Sequence, residues 1–193
     1  MNKIIIITGP SGVGKGTIEK ELFKIPSLKL ALSCSMTTRT KRENEIEGEH
    51  YYFVDEVEFL KKVKNNEFLE YSQHFGNYYG TLKLDVDNLI AKGHNVIVEV
   101  DTVGALNIIK KFKDENSIDK LLSIFIAPPN LEVLESRIRN RNSETDESIK
   151  ERLFKAKKEI QQTNDFMFII VNNKLTESVN SVSKIIKGEI CEL

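Results

Sequence analysis

The chain has 193 residues, 40% of them apolar and 30% charged, and a formal net charge of −1. That length suits one compact domain with a substantial core, and the composition is that of a soluble globular protein. Near-neutrality excludes a broad basic field for nucleic acid or membrane, and no apolar stretch reaches spanning length or forms a signal region, so a cytoplasmic location is expected.

The first element is the run "KIIIIT", ending at Thr8. Continuous apolar runs bounded by turns suit strands buried on both faces of a parallel sheet. Directly behind it stands "GPSGVGKGT", Gly9 to Thr17. Gly9, Gly14 and Lys15 fit the phosphate-loop pattern G-x-x-x-x-G-K, in which backbone N–H groups and a helix N-terminus converge on phosphate oxygens. The pattern continues with Ser or Thr, but here Gly16 follows, and the hydroxyl is displaced to Thr17. A helix is expected over Thr17 to Lys24.

A second strand is expected over "LALSCS", Leu30 to Ser35. Residues 36 to about 90 then break the pattern. "YYFV", "FLEYSQHF" and "NYYG" are short, aromatic and β-like, around one helix that opens with Asp55 and Glu58 at capping-box spacing. This region reads as a small, mostly β lobe inserted into the core. Strands resume at "NVIVEV" (95–100), "LLSIFIA" (121–127) and "FMFIIV" (166–171), with helices over "TVGALNIIKKF", "NLEVLESRIRNR" and "LTESVNSVSKIIK". The alternation implies an α/β fold with a parallel sheet flanked by helices. Residues 140 to 148, "NRNSETDES", are wholly polar and read as a mobile lid between two helices.

Arginine is distributed unevenly. Of the 28 basic residues 22 are lysine, and the six arginines fall in two clusters: Arg39 and Arg42, then Arg137, Arg139, Arg141 and Arg152. Arginine's rigid fork suits bidentate phosphate contacts, although two solvated faces would also accommodate it. Cys34 and Cys191 are the only cysteines, expected as free thiols. No Cys or His spacing resembles a metal site.

Taken together, "GPSGVGKGT", "SCSMTTRTKRENEIEGEHYYF", "NNEFLEYSQHFGNYYGT", "VEVDTVGA" and "IAPPNLEVLESRIRNRNSETDESIKERL" resemble guanylate kinase, in order and spacing, over nearly the whole chain. The resemblance implies a P-loop kinase core (1–35, 91–139 and 153–193), a GMP-binding lobe (36–90) and a lid (140–152). It implies direct in-line transfer of a phosphoryl group from ATP to GMP, and to dGMP, with Mg²⁺ accompanying ATP.

Roles follow position by position from that resemblance. ATP would meet Gly9, Pro10, Ser11, Gly12, Val13, Gly14, Lys15, Gly16 and Thr17, with Asn172 near the adenine. GMP would meet Ser35, Arg39, Arg42, Tyr51, Tyr79 and Gly80, the arginines and tyrosines on its phosphate, with Glu70, Thr81 and Asp101 reading the guanine. Lys15, Arg39, Arg137, Arg141 and Arg152 would carry catalysis, and Arg139 matches no role. A G-K-G-T ending also occurs in adenylate kinase-like enzymes. It implies a metal held by phosphates and water, with no direct protein ligand and Glu99 near it through water.

The sequence departs from the family's usual residues at Thr81 (Ser), Asn142 (Gly) and Val103 (Gln). The expected partners are ATP and GMP, in a monomer or homo-oligomer, with no nucleic acid and no membrane. On the residues alone, the tyrosines also suit a lobe core, Glu70 a solvated strand and Asp101 a helix cap. Two rival functions are a non-catalytic guanylate kinase-like module binding phosphopeptides and a kinase of phosphorylated sugars.

Overall fold

A computed structural model describes residues 2–74, 76–140 and 146–188. Two sheets organise the chain. The larger is five-stranded and parallel: β1 (Ile4–Thr8), β2 (Leu30–Leu32), β7 (Asn95–Val98), β8 (Leu121–Ala127) and β9 (Phe168–Val171), in the order β2-β7-β1-β8-β9. The smaller comprises β3 (Ser35–Thr37), β4 (Tyr51–Phe53), β5 (Phe68–His74) and β6 (Asn77–Leu82), in the order β4-β3-β6-β5.

The large sheet is buried on both faces because its strands are apolar at consecutive positions. Along β1, Ile5 and Ile7 face one core with Ile18, Leu22, Leu134 and Val182. Ile4 and Ile6 face the other with Ala105, Ile108, Ile109 and Phe112. Those last four positions repeat at helical spacing along α4 (Thr102–Asp114), so one stripe of that helix seals the sheet. Helices α1 (Lys15–Leu22), α5 (Leu131–Arg139), α6 (Asp146–Gln161) and α7 (Leu175–Ile186) contribute to the first face. The smaller sheet has its own centre, where Phe59 of α2 (Glu56–Lys64) stacks on Phe68 with ring centroids 4.5 Å apart.

Three details differ from the sequence reading. The run Leu30–Ser35 is two strands, one in each sheet. Ser33 still donates to the Ile97 carbonyl, but the Cys34 amide turns to Asp85 Oδ2 at 3.0 Å, and the chain leaves the large sheet there. A helix, α3 (Lys83–Ala91), follows β6 directly and buries Val86 against the α4 side of the core. It begins without a side-chain cap, so no start signal marks it in the sequence. Finally, the helix behind the glycine loop begins at Lys15, two residues early, with Gly14 as its N-cap. Asp55 caps α2 as its spacing implies, accepting from the Glu58 amide at 2.8 Å. Of the residues read as a lid, Arg141 and Asn142 lie outside the described residues, and Asp146 to Arg152 form the first turns of α6.

Candidate active site

The glycine loop joins the C-terminal end of β1, at the centre of the large sheet, to α1. In open parallel sheets, ligands gather at the carboxyl ends of the strands. Val13 is fully buried and anchors the loop, and its amide closes a turn on the Pro10 carbonyl at 3.2 Å. Gly14 has φ 102°, a left-handed conformation in which a side chain is strained, and a Cβ there would lie 2.7 Å from Asn172 Nδ2. This sharp turn aims the first amides of α1 into one concavity, where the helix dipole also favours an anion. Lys15 Nζ donates to the carbonyls of Gly9 and Pro10, which folds the ammonium back over the same concavity.

Beside the loop lies a cleft of about 420 Å³, walled by segments behind the large sheet, by the small sheet and by α6. From the segments that follow β1 and β7 come Gly9, Ser11, Lys15, Glu99, Val100 and Asp101; from the small sheet Ser35, Tyr51, Glu70, Ser72, Tyr79 and Gly80; from α6 Arg152, Lys155 and Glu159. The small-sheet wall is ordered by strand register. Ser35 of β3 and Glu70 of β5 flank Thr81 of β6 on either side. The register of β5 shifts between Phe68 and Glu70. That irregularity leaves Leu69 buried in the α4 core and Glu70 in the cleft. Thr81 is fully buried behind the wall, and its hydroxyl has no hydrogen-bond partner.

Electrostatics distinguish the groups. Burial, with the Asp101 carboxylate nearby, pushes the Glu70 carboxyl up to about 7. Glu19, one turn after Lys15 on α1, is also pushed up to about 7, by burial first and then by Glu99, with Lys15 opposing. Asp101 caps α4 through the Gly104 amide at 2.9 Å, and its other oxygen lies 3.7 Å from Lys155 Nζ. Arg152 donates to Ser11 Oγ at 2.6 Å, bringing α6 onto the loop.

The remaining sequence candidates stand around this cleft. Arg39 adjoins it, over the ring of Tyr51 at 5.6 Å, and Tyr51 and Tyr79 meet edge to face at 6.1 Å. Arg42 is exposed, and its backbone amide donates to Glu45 at 2.8 Å. On the far side of the loop, a second cleft of about 340 Å³ is lined by Gly12, Gly14, Thr17, Arg137 and Asn172. There Arg137 donates to the carbonyls of Val13 and Asn172 at 3.3 and 3.0 Å. The Asn172 amide is buried and committed to Val13 O and Ser178, so it forms wall and support for that cleft. Thr17 opens to this second cleft, not to the one holding Lys15 and Glu99. Arg139 pairs with Glu135 and Asp146 on the surface.

Sequence reasoning missed Glu19, Lys155 and Glu159. Helical spacing contains the signal: Glu19 is i+4 from Lys15, and Lys155 and Glu159 are i+3 and i+7 from Arg152. Among the described residues no group of three or more His, Cys, Asp or Glu side chains is arranged to hold a metal. The donors present are hard carboxylate oxygens, Glu99 exposed in the cleft and Glu19 behind it, and a Cβ at Gly16 would meet nothing within 4 Å. That set fits a magnesium ion carried by phosphate oxygens and water, which retains much of its hydration.

A parallel sheet in this strand order, a glycine loop following its central strand and a cleft between that loop and a smaller sheet define a P-loop kinase fold. The comparisons narrow the class. A sequence model described as guanylate kinase matches residues 1–189. The guanylate kinase of Mycoplasma mobile is 52% identical over 191 residues, covering 99% of this chain and 95% of that protein. That of Clostridium tetani is 42% identical, covering 98% and 88%. The crystal structure of guanylate kinase from Anaplasma phagocytophilum superposes with a TM-score of 0.72 at 30% identity, covering 97% of this chain and 86% of that one. The chain belongs to the guanylate kinase family.

Proposed function

We propose that the chain transfers the γ-phosphoryl group of ATP to GMP, and also to dGMP, in a single in-line step within the 420 Å³ cleft. One observation carries the reading: the loop behind β1, with Lys15, and the Glu70–Ser35–Tyr79 wall of the smaller sheet line the same cleft. A donor phosphate on the loop would thus face an acceptor whose base rests on the smaller sheet.

The loop amides, Lys15 and Ser11 hold the donor phosphates, and Arg152 brings charge from α6 onto the same point. Arg137 serves the ATP phosphates and also braces the loop through the Val13 carbonyl, and Asn172 walls the adenine side. Arg39, Arg42, Tyr51 and Tyr79 hold the GMP phosphate. Glu70, Thr81 and Asp101 receive the guanine edge, with Ser35 and Gly80 beside them. The buried, unpartnered Thr81 hydroxyl is the kind of group a ligand completes.

No side chain acts as nucleophile, because a GMP phosphate oxygen attacks directly; the protein positions the two phosphates and offsets their charge. Mg²⁺ bound with ATP supplies further charge neutralisation between the phosphates. Glu99, exposed in the cleft, would hold that ion through water. Arg141, assigned to the transferring group, lies outside the described residues; the division proposed is a core (1–35, 91–139, 153–193), a lobe (36–90) and a lid (140–152), of which Asp146 to Arg152 are helical. The substrates are free nucleotides of the cytoplasm, and neither nucleic acid nor membrane takes part. No described helix is long and apolar enough to cross a membrane.

A coupled assay with GMP, dGMP, AMP and ribose phosphates tests the reading. Turnover confined to the two guanine nucleotides is expected. Turnover of ribose phosphates would favour a sugar kinase, and no turnover with any acceptor would favour a binding module.

A further inference from the structure

Gly104 stands on α4 beneath the guanine-facing wall and is buried. Its backbone is ordinary helix, so no conformational demand calls for glycine there. Glycine inside a helix is otherwise the least favourable choice apart from proline. The reason for it is spatial. A Cβ at Gly104 would lie 2.9 Å from Glu70 Oε2 and 3.4 Å from Glu70 Cδ, with Val100 Cβ at 3.3 Å. The Glu70 carboxylate therefore rests directly on the bare backbone of α4. The Gly104 amide is also the donor that fixes Asp101 Oδ1, at 2.9 Å. One residue thus touches two of the three groups assigned to the guanine edge, Glu70 at its Cα and Asp101 through its amide.

We propose that Gly104 is a positioning residue for guanine specificity: its missing side chain sets the depth at which Glu70 is seated, while its amide holds Asp101 beside it. This rests on the reading that Glu70 receives the guanine edge. An alanine here meets the end of a flexible side chain, not backbone, so the fold accommodates it by displacing the carboxylate into the cleft. Val100 gives by a few tenths of an ångström. The amide and the Asp101 cap remain, and the helix loses a glycine. Stability and base recognition should therefore move apart.

The test is a double-mutant cycle of Gly104→Ala and Glu70→Ala, read by steady-state kinetics for GMP, AMP and ATP and by thermal melting. Gly104→Ala alone should raise KM for GMP at least tenfold, leave KM for ATP within twofold, and leave Tm unchanged or raised. In the Glu70→Ala background, where nothing remains to displace, the same substitution should change KM for GMP less than twofold. A GMP KM within twofold of wild type in Gly104→Ala would overturn the inference, as would an equal penalty in both backgrounds, which would place the effect on Val100 or Asp101. A drop in Tm accompanied by parallel losses in both substrates would overturn it too, by marking Gly104 as packing only. Glu70→Ala alone distinguishes the underlying reading. If it leaves the GMP-over-AMP preference intact, Glu70 does not read the base and both statements fail. If it abolishes the preference while Gly104→Ala is silent, only the role of Gly104 fails.

Discussion

Arg39 holds Glu45 through both terminal nitrogens, Nη2 to Oε1 at 2.7 Å and Nη1 to Oε2 at 3.1 Å. The guanidinium lies over the rings of Tyr51 and Phe53, at 5.6 and 5.8 Å. Its plane is therefore fixed by a carboxylate at one edge and aromatic faces beside it, which spares a phosphate ligand part of the entropy of ordering a long side chain. The Arg39 fork, then the Arg42 amide, holds the Glu45 carboxyl down at about 2. A lowered carboxyl contributes its stabilisation above the ordinary value near 4.5 and loses it only as pH falls toward 2. The brace is thus intact throughout the working range.

Arg39→Ala should raise KM for GMP by roughly ten- to a hundredfold, the share of one charge-assisted contact of about 1.5–3 kcal/mol. KM for ATP should stay within about twofold. Arg39→Lys should not restore GMP binding, because an ammonium cannot hold both oxygens of Glu45 and so is not fixed in place beside Tyr51. Initial rates over a GMP titration measure this. A lowered kcat with unchanged KM for GMP would move Arg39 from the acceptor to the transferring group.

Lys15 addresses the other substrate. Lys15→Met should lower kcat by about 10²–10³-fold, the ~3–4 kcal/mol of one preorganised contact to developing charge. Binding of GMP, followed by calorimetry without ATP, should be nearly unchanged, because Glu70, Tyr51 and Tyr79 belong to the smaller sheet and Lys15 does not. A kcat within tenfold of wild type would remove the loop from the donor role.

Glu70 should give the enzyme a pH signature. Its carboxyl is raised to about 7 by burial and then by Asp101. In the unliganded protein the native state therefore holds a proton that the unfolded chain releases between about 4.5 and 7. Stability from this group accordingly declines as pH rises through that window and levels above it. Recognition has the opposite slope, since the ionised carboxylate accepts from both N1–H and the 2-amino group of guanine. Thus kcat/KM for GMP should climb several-fold through pH 7. Glu70→Gln should lose roughly ten- to a hundredfold in kcat/KM for GMP. It should also lose the limb near 7 while keeping that of the GMP phosphate, whose second ionisation falls near pH ~6. Identical profiles in the two proteins would leave Glu70 without a role in base choice.

The parts legible in the sequence were those fixed by neighbours along the chain. β1, the glycine loop and α1 follow from one apolar run and one turn, and Asp55 announces α2 by a single cap. What the sequence did not disclose depends on partners that meet only after folding. The break at Cys34 occurs because Ile97 and Asp85 compete for adjacent amides, which an apolar run cannot reveal. The shift at Leu69 and Glu70 is visible only against β6. α3 contains an i, i+3, i+4 stripe in Val86, Leu89 and Ile90, but without a cap it merges with β6. Most site roles came from motif resemblance. Lys155 and Glu159 would have required α6 to be read as one face beginning at Arg152.

Asn172 should matter through the loop it supports. Its Nδ2 donates to Val13 O at 2.8 Å, and its Oδ1 accepts from Ser178 Oγ at 2.9 Å, all buried. Asn172→Ala should cost about 1–3 kcal/mol, since a buried carbonyl and hydroxyl lose partners. At this chain length that is roughly 2–10 °C in Tm. KM for ATP should rise as well, because Gly14 rests against the same amide. Differential scanning fluorimetry and an ATP titration measure both; a lower Tm with unchanged KM for ATP would confine Asn172 to support of the fold.

Gly16 invites the reverse experiment, restoring a hydroxyl. The phosphate-loop pattern places a Ser or Thr directly after the lysine, with its hydroxyl on Mg²⁺. Here that position is glycine, exposed on the first turn of α1, where a Cβ would meet nothing within 4 Å. Its neighbour Thr17 opens to the second cleft, so it does not supply the missing ligand. Gly16→Ser should therefore fold normally. Exchanging a helical glycine for serine should add about 0.5 kcal/mol, roughly 1–2 °C in Tm. The serine hydroxyl would replace one of the waters around the nucleotide-bound ion. Releasing an ordered water is worth up to ~2 kcal/mol and commonly much less. The Mg²⁺ concentration for half-maximal velocity at fixed ATP should accordingly fall about two- to fivefold, with kcat and KM for GMP unchanged. Calorimetry of ATP binding with and without Mg²⁺ should show the gain only when the metal is present. A gain of equal size without Mg²⁺ would mean the new hydroxyl bonds a phosphate oxygen. An unchanged Mg²⁺ requirement would place the ion beyond reach of position 16, on the phosphates and the Glu99 side alone.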